Sequence, residues 1–267
     1  MIIHYIMKTD FEPIEIVDDT SDEEYTFMKP KATKQSRSKK NANTNTLKHQ
    51  HNDDSNIYEI GVDEAGRGPL FGRVYAAAVV LPKDDSFDFS KMKDSKKFHS
   101  KKKIEEVAEY IKQNALAWHV SYEDERKIDE INILQATQQA MHAAINEVRK
   151  KIKEDNEMLK PYLLIDGNYF KPVELFNKMT NKFEIVPFIT VEGGDNKYAS
   201  IAAASILAKV ERDRYIEQLC EMNPELSERY GIDSNKGYGA KRHMDGIKQY
   251  GITIWHRRSF APCKNYV

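Results

Sequence analysis

The chain has 267 residues, of which 40% are hydrophobic and 31% charged, and its formal net charge is −1. No apolar run approaches the roughly 18 residues of a membrane span, and the start does not read as a signal peptide. Two cysteines are too few for a disulfide framework or a four-cysteine zinc site, so an intracellular, cytoplasmic protein is expected.

Charge is unevenly spread. Residues 1–24 carry eight acids against one lysine, a net −7, and residues 29–48 carry seven bases and no acid. Residues 29–55 are too poor in apolar side chains to offset their ordering entropy. Residues 1–56 are therefore expected to be a disordered, charged arm, with 57–267 the folded domain. The basic block 29–48 reads as a solvating tail, a weak contact to nucleic-acid phosphate, or a nuclear-import signal.

Regular patterns begin at Ile57. Residues 57–63 read as a strand ending in acids, and 74–82 as a strand buried on both faces. The spacing of Ile104, Val107, Ala108 and Ile111 predicts a helix over 101–115, followed by a strand over 115–122. A short helix near 123–129 and a long one over 132–152 come next. Strands are predicted at 161–166 and 183–191, then helices at about 200–219 and 241–250. Strands alternating with helices predict an α/β layered domain. The phosphate-loop pattern GxxxxGK[ST] is absent, which disfavours nucleotide hydrolysis.

The candidate chemistry lies at strand ends. Asp63 and Glu64 close the first strand and lead into Gly66-Arg67-Gly68; Asp166 closes a second apolar strand; Asp195 stands between a strand and a helix. Neighbouring strand residues point to opposite faces, so Asp63 and Glu64 share a ligand only if the chain bends there, and glycines permit the bend. Carboxylates with no accompanying histidine or cysteine cluster suit a hard cation, magnesium or manganese, and lean towards phosphodiester chemistry. Taken singly the features are bland. Asp63-Glu64 is a polar strand end, Tyr238 is one of 14 tyrosines, and the alanines of 201–208 are those of a closely packed helix.

In series they are not. GVDEAGRGPLFG (61–72), DSKK (94–97), IDEINILQATQQAMHAA (128–144), LIDGN (164–168), GGDNKYASIAAASILAKVERD (194–213), NKGYGAKRH (235–243) and HRRSF (256–260) together resemble ribonuclease HII, the type 2 ribonuclease H family. The resemblance implies a ribonuclease H-like fold, a central mixed sheet flanked by helices with a small C-terminal helical portion. It implies magnesium- or manganese-dependent hydrolysis of the RNA strand of RNA–DNA hybrids. Cleavage at ribonucleotides embedded in duplex DNA is implied too, leaving 5′-phosphate and 3′-hydroxyl ends. Matched by position, Asp63, Glu64, Asp166 and Asp195 are the metal-holding catalytic acids, and Gly66, Arg67 and Gly68 the turn that reads the ribose 2′-hydroxyl. Tyr238 matches the tyrosine that stacks on the sugar at an RNA-to-DNA junction, Lys96 and Lys97 match phosphate contacts, and Ser205 lies near the site. Phe71 and Arg73 depart from the family pattern, which more often has a small residue and proline there. A monomer and no membrane are expected. Another nuclease or strand-transfer enzyme on the same fold, and a binding module without catalysis, are the alternatives; the ribose-reading motifs weigh against the first and the four acids against the second.

Overall fold

The computed structural model describes residues 47–155, 158–177 and 180–267. A five-stranded sheet carries the domain, in the order β3-β2-β1-β4-β7. Its strands are β1 (Ile57–Ala65), β2 (Val74–Val80), β3 (Ala117–Glu123), β4 (Lys160–Asp166) and β7 (Phe188–Val191). β1, β2 and β3 form an antiparallel meander, and β4 and β7 then add in parallel beside β1, so the sheet is mixed as expected.

Helices cover both faces, which is why β2 reads as a continuous apolar run. Alternate residues sort between the faces. Ala76, Ala78 and Val80 share a core with Ala140, Ala144 and Val148 of α2 (Glu125–Asp155). Tyr75, Ala77 and Val79 share another with α1 (Lys101–Asn114) and α3 (Ala199–Met222). The alanines of α3 are buried on every side of the helix, and their small size lets its backbone lie against β1. Gly61 is the counterpart on the strand: a Cβ there would sit 2.2 Å from the Ser200 carbonyl carbon.

The two helices expected between 123 and 152 exist and run together as α2 across a break at Asn132, whose φ is 69°. Its side chain accepts from Gln135 N at 3.1 Å, capping the second helix as asparagine commonly does. The single strand expected over 183–191 is divided. β6 (Lys182–Ile185) pairs with β5 (Glu174–Asn177) in a separate hairpin, and only β7 joins the main sheet. Pro187 marks the change of partner: Val186 N donates to Val173 O at 2.9 Å, whereas the Pro187 carbonyl accepts from Leu163 N at 2.9 Å. Proline has no N–H to continue a ladder.

The C-terminal helical portion comprises α4 (Glu225–Tyr230), α5 (Ile232–Asn235) and α6 (Lys241–Tyr250), of which only α6 was expected. It encloses Phe71, Ile216, Leu226, Tyr230 and Ile247 in a small core of its own. At the other end, residues 1–46 of the predicted arm lie outside the described residues. Its last part, 47–56, is laid on the domain. Lys48 pairs with Tyr198, and the buried Glu59 carboxylate accepts from His51 N at 2.9 Å and Asn52 N at 2.5 Å. Folded chain is thus already present before Ile57. Among the described residues no helix is long and apolar enough to cross a membrane.

Candidate active site

Parallel pairing aligns the carboxyl ends of β1 and β4: Val62 lies opposite Ile165, so the next residues, Asp63 and Asp166, stand side by side. Ligand crevices in α/β sheets form outside such ends. Here a cleft of about 500 Å3 is lined by Asp63, Glu64, Asp166, the Gly66-Arg67-Gly68 turn, Lys96, Ser205 and Tyr238. Gly66 turns the chain at φ 93°, but β1 keeps its register with β2 through Ala65, so the turn lies past both acids; Asp63 and Glu64 nonetheless line one cavity. Gly194 N donates to Asp166 Oδ1 at 2.6 Å and orients that carboxylate.

Two predicted residues stand outside the lining. Asp195 sits in the short turn before α3, 6% exposed, and accepts from Asn196 Nδ2 at 3.0 Å. The Lys97 ammonium donates to Asn196 Oδ1, so this lysine braces the Asp195 turn. Asn196 also donates to Asp94 Oδ2 at 3.3 Å, and Ser95 Oγ lies 3.0 Å from Ser205 Oγ. The DSKK segment is therefore tied to both the Asp195 turn and α3.

Burial and mutual crowding shift the acids of the site. Burial, then the neighbouring Glu64 and Asp166, push the Asp63 carboxyl well above the usual carboxylate range, with the Ser205 hydroxyl pulling the other way. Burial raises Glu64 as well; the Arg67 guanidinium, 3.2 Å from its Oε1, opposes this and Asp166 adds to it. Burial, then Asp94 and Asp166, raise Asp195. Such a set of oxygen donors fits a hard divalent cation. Among the described residues no three His, Cys, Asp or Glu side chains are already gathered into a metal-binding cluster.

Beside the acids, Tyr238 is 52% exposed and lies close to Gly68, where an added Cβ would be 3.5 Å from its ring. Behind it, His243 Nδ1 is 2.9 Å from Tyr238 O, and His243 Nε2 is 3.1 Å from His256 Nε2. His256 Nδ1 accepts from Thr253 N at 2.9 Å, and burial followed by His243 drives its pKa down to about 3. The two histidines thus brace the tyrosine loop.

The sequence profile of ribonuclease HII matches residues 60–263. Ribonuclease HII of Neisseria gonorrhoeae is 42% identical over 209 residues, which span 78% of this chain and 95% of that one. The chain belongs to the ribonuclease HII family. Membership makes it a type 2 ribonuclease H, a metal-dependent endonuclease that degrades RNA in RNA–DNA hybrids. Among solved structures it resembles ribonuclease H2 of Pyrococcus horikoshii OT3, with a TM-score of 0.59 and 24% identity over 79% of this chain and 97% of that one. It also resembles Bst-RNase HIII in complex with Mn2+, with a TM-score of 0.55 and 20% identity over 79% of this chain and 69% of that one. These two likenesses concern the fold.

Phe71 and Arg73, the two positions expected to depart from the family pattern, are both engaged in packing. Phe71 is fully buried, edge-on to His243 and His256. The Arg73 guanidinium lies 4.0 Å from the Tyr122 ring centre and 4.4 Å from that of Tyr215. Two further residues escaped sequence reasoning. Arg212 and Arg257 are 3% and 0% exposed and donate to main-chain carbonyls, Arg212 to those of Phe71 and Lys236 and Arg257 to those around the Gly66-Arg67-Gly68 turn. Both lie inside matched motifs, but a sequence displays an arginine as a charge, and nothing in it separates a buried donor from a surface cation.

Proposed function

We propose that this chain hydrolyses the RNA strand of hybrids and also cuts at single ribonucleotides within duplex DNA, leaving 5′-phosphate and 3′-hydroxyl ends. Asp63, Glu64, Asp166 and Asp195 are the residues that would hold magnesium or manganese; manganese is the ion in the ribonuclease HIII complex that shares this fold. Bound there, a pair of such ions would activate water and offset the charge developing on the scissile phosphate.

The protein's own groups supply position and recognition. Asp63 and Asp166, held by β1 and β4, fix where the phosphate must sit, and Gly194 N–H keeps Asp166 aimed there. The turn at Gly66, Arg67 and Gly68 would read the 2′-hydroxyl, the one group by which RNA differs from DNA. The Tyr238 ring would stack on the next sugar, Lys96 would meet a backbone phosphate, and Ser205 would steady Asp63. The observation that carries the reading is the meeting, in one cleft, of three cation-seeking carboxylates with a backbone turn and an exposed aromatic ring.

The test is cleavage of a DNA duplex carrying one ribonucleotide, in magnesium, in manganese and in EDTA, with product ends mapped. Nicking 5′ to the ribonucleotide, dependent on metal and lost in Asp166→Asn, is the expected result. Cleavage of long hybrids without any nicking of the single-ribonucleotide duplex would remove the finer activity.

A further inference from the structure

Arg257 is fully buried, and every N–H of its guanidinium is spent on main-chain carbonyls of one loop. Nε donates to Gly72 O at 2.9 Å; Nη1 to Arg67 O at 2.9 Å and Pro69 O at 2.8 Å; Nη2 to Gly66 O at 2.6 Å and Arg73 O at 3.2 Å. Its own N–H donates to Leu70 O at 2.9 Å. Among the described residues no carboxylate forms an ion pair with it, and burial followed by Arg212 pulls its pKa down to about 9. An unpaired buried cation is costly, and only arginine offers five donors in a rigid fork.

A peptide unit is planar and trans, so its C=O and N–H point in opposite directions. Turning the Gly66 carbonyl inward onto Arg257 turns the Arg67 N–H outward, and turning the Arg67 carbonyl inward does the same for the Gly68 N–H. Among the described residues neither N–H donates a hydrogen bond within the chain, and both residues line the cleft. A positive charge behind the carbonyl oxygens also polarises those peptides and strengthens their N–H groups as donors. Arg212 holds the far side of the loop, donating to Phe71 O at 3.4 Å and to Lys236 O at 2.9 Å. We infer that Arg257 is a specificity-determining positioning residue, which commits the Arg67 and Gly68 amides to the cleft and so sets the preference for ribose over deoxyribose. The inference rests on the turn reading the 2′-hydroxyl, as proposed above.

The discriminating experiment uses the full chain as wild type, Arg257→Lys and Arg257→Gln. Binding is measured in EDTA to two DNA duplexes identical except for one ribonucleotide. Losing well-oriented hydrogen bonds to a neutral hydroxyl should cut the ribo-over-deoxy affinity ratio about tenfold in Arg257→Gln, with affinity for the all-DNA duplex within about twofold of wild type. Arg257→Lys, which keeps the charge and fewer donors, should fall between. A loop staple with no part in recognition would lower the melting temperature and leave the ratio unchanged, and that result overturns the inference. Hydrogen exchange on the wild type needs no variant to fold. Protection of the Arg67 and Gly68 amides by the ribonucleotide duplex, beyond that given by the DNA duplex, is expected, and its absence overturns the inference. Wild type that nicks neither substrate in magnesium would instead mark a failure of the proposed function.

Discussion

Replacing Gly61 by alanine would build a Cβ 2.2 Å from Ser200 C, 2.4 Å from Ser200 O and 2.5 Å from Ile201 N. All three are backbone atoms of α3, so no side chain can swing away. Ordinary contact requires α3 to retreat from β1 by about 1 Å, opening the alanine-lined interface along its length. Overpacking of this kind costs up to about 3 kcal/mol, and for a domain of this size that lowers the melting temperature by about 6–12 °C. The functional consequence comes from the same shift. Ser205 and the turn holding Asp195 travel with α3, while Asp63 stays on β1 two residues from the substitution. Misplacing catalytic groups by about 1 Å costs on the order of a hundredfold in rate. Urea unfolding and steady-state cleavage of a hybrid, run on the folded fraction, measure both effects. A variant within 1 kcal/mol of wild type by the usual m-value treatment, or one that is destabilised but turns over normally, would refute the rigid coupling of α3 to the site.

The carboxylates make a prediction whose sign is fixed. Asp63 has a folded-state pKa above its unfolded value, so without metal the native state binds the extra proton and stability falls as pH climbs above the ordinary carboxylate range. Asp63→Asn should therefore lose nearly all turnover, yet gain stability over wild type in EDTA as pH rises, with magnesium closing the gap; parallel pH profiles for the two proteins would contradict the buried-charge account. Tyr238→Ala should impair nicking at a lone ribonucleotide more than cleavage of a long hybrid, and equal losses would remove the stacking role. The arm can be tested by deleting residues 1–46, a boundary that spares the segment laid on the domain. Turnover at saturating substrate should hold, while the slope of log affinity against log salt flattens if the basic block 29–48 meets phosphate. An unchanged slope leaves solvation or targeting.

Much of the fold was legible because its signals are local. The apolar run of β2, the helical spacing of Ile104, Ala108 and Ile111, and the run of small residues in α3 are each visible within one segment. Prediction failed where the deciding contact is remote. Nothing within 183–191 reveals that Phe183 will meet Phe176 in a hairpin while Phe188 pairs with Leu163 across the main sheet. The proline was visible, but its consequence depends on which strand supplies the next partner. The acids at the strand ends were readable as a pattern, since the residue after an apolar strand lands at the sheet's carboxyl edge whatever the topology. That Asp63 and Asp166 are neighbours was implied only by the family resemblance and not by the pattern itself, because adjacency is set by the parallel pairing of β1 with β4.

The charges of the site make sense only together. On one side of the cleft buried carboxylates repel one another; behind the Gly66-Arg67-Gly68 turn lie two buried arginines, each shifted downward by burial. Neither set is neutralised by the other, for the arginine donors are spent on carbonyls rather than carboxylates. Such separation leaves the protein alone with unfavourable electrostatics at both ends. It also defines what relieves them: cations at the acids, and a polyanionic strand laid across the turn. In the function proposed above, backbone donors carry the recognition between these poles, and a donor that belongs to the main chain can be aimed only by fixing the peptide that bears it. A buried arginine with every N–H on a carbonyl does that, which is why residues nearly two hundred positions apart in the chain, Gly66 and Arg257, belong to one working unit.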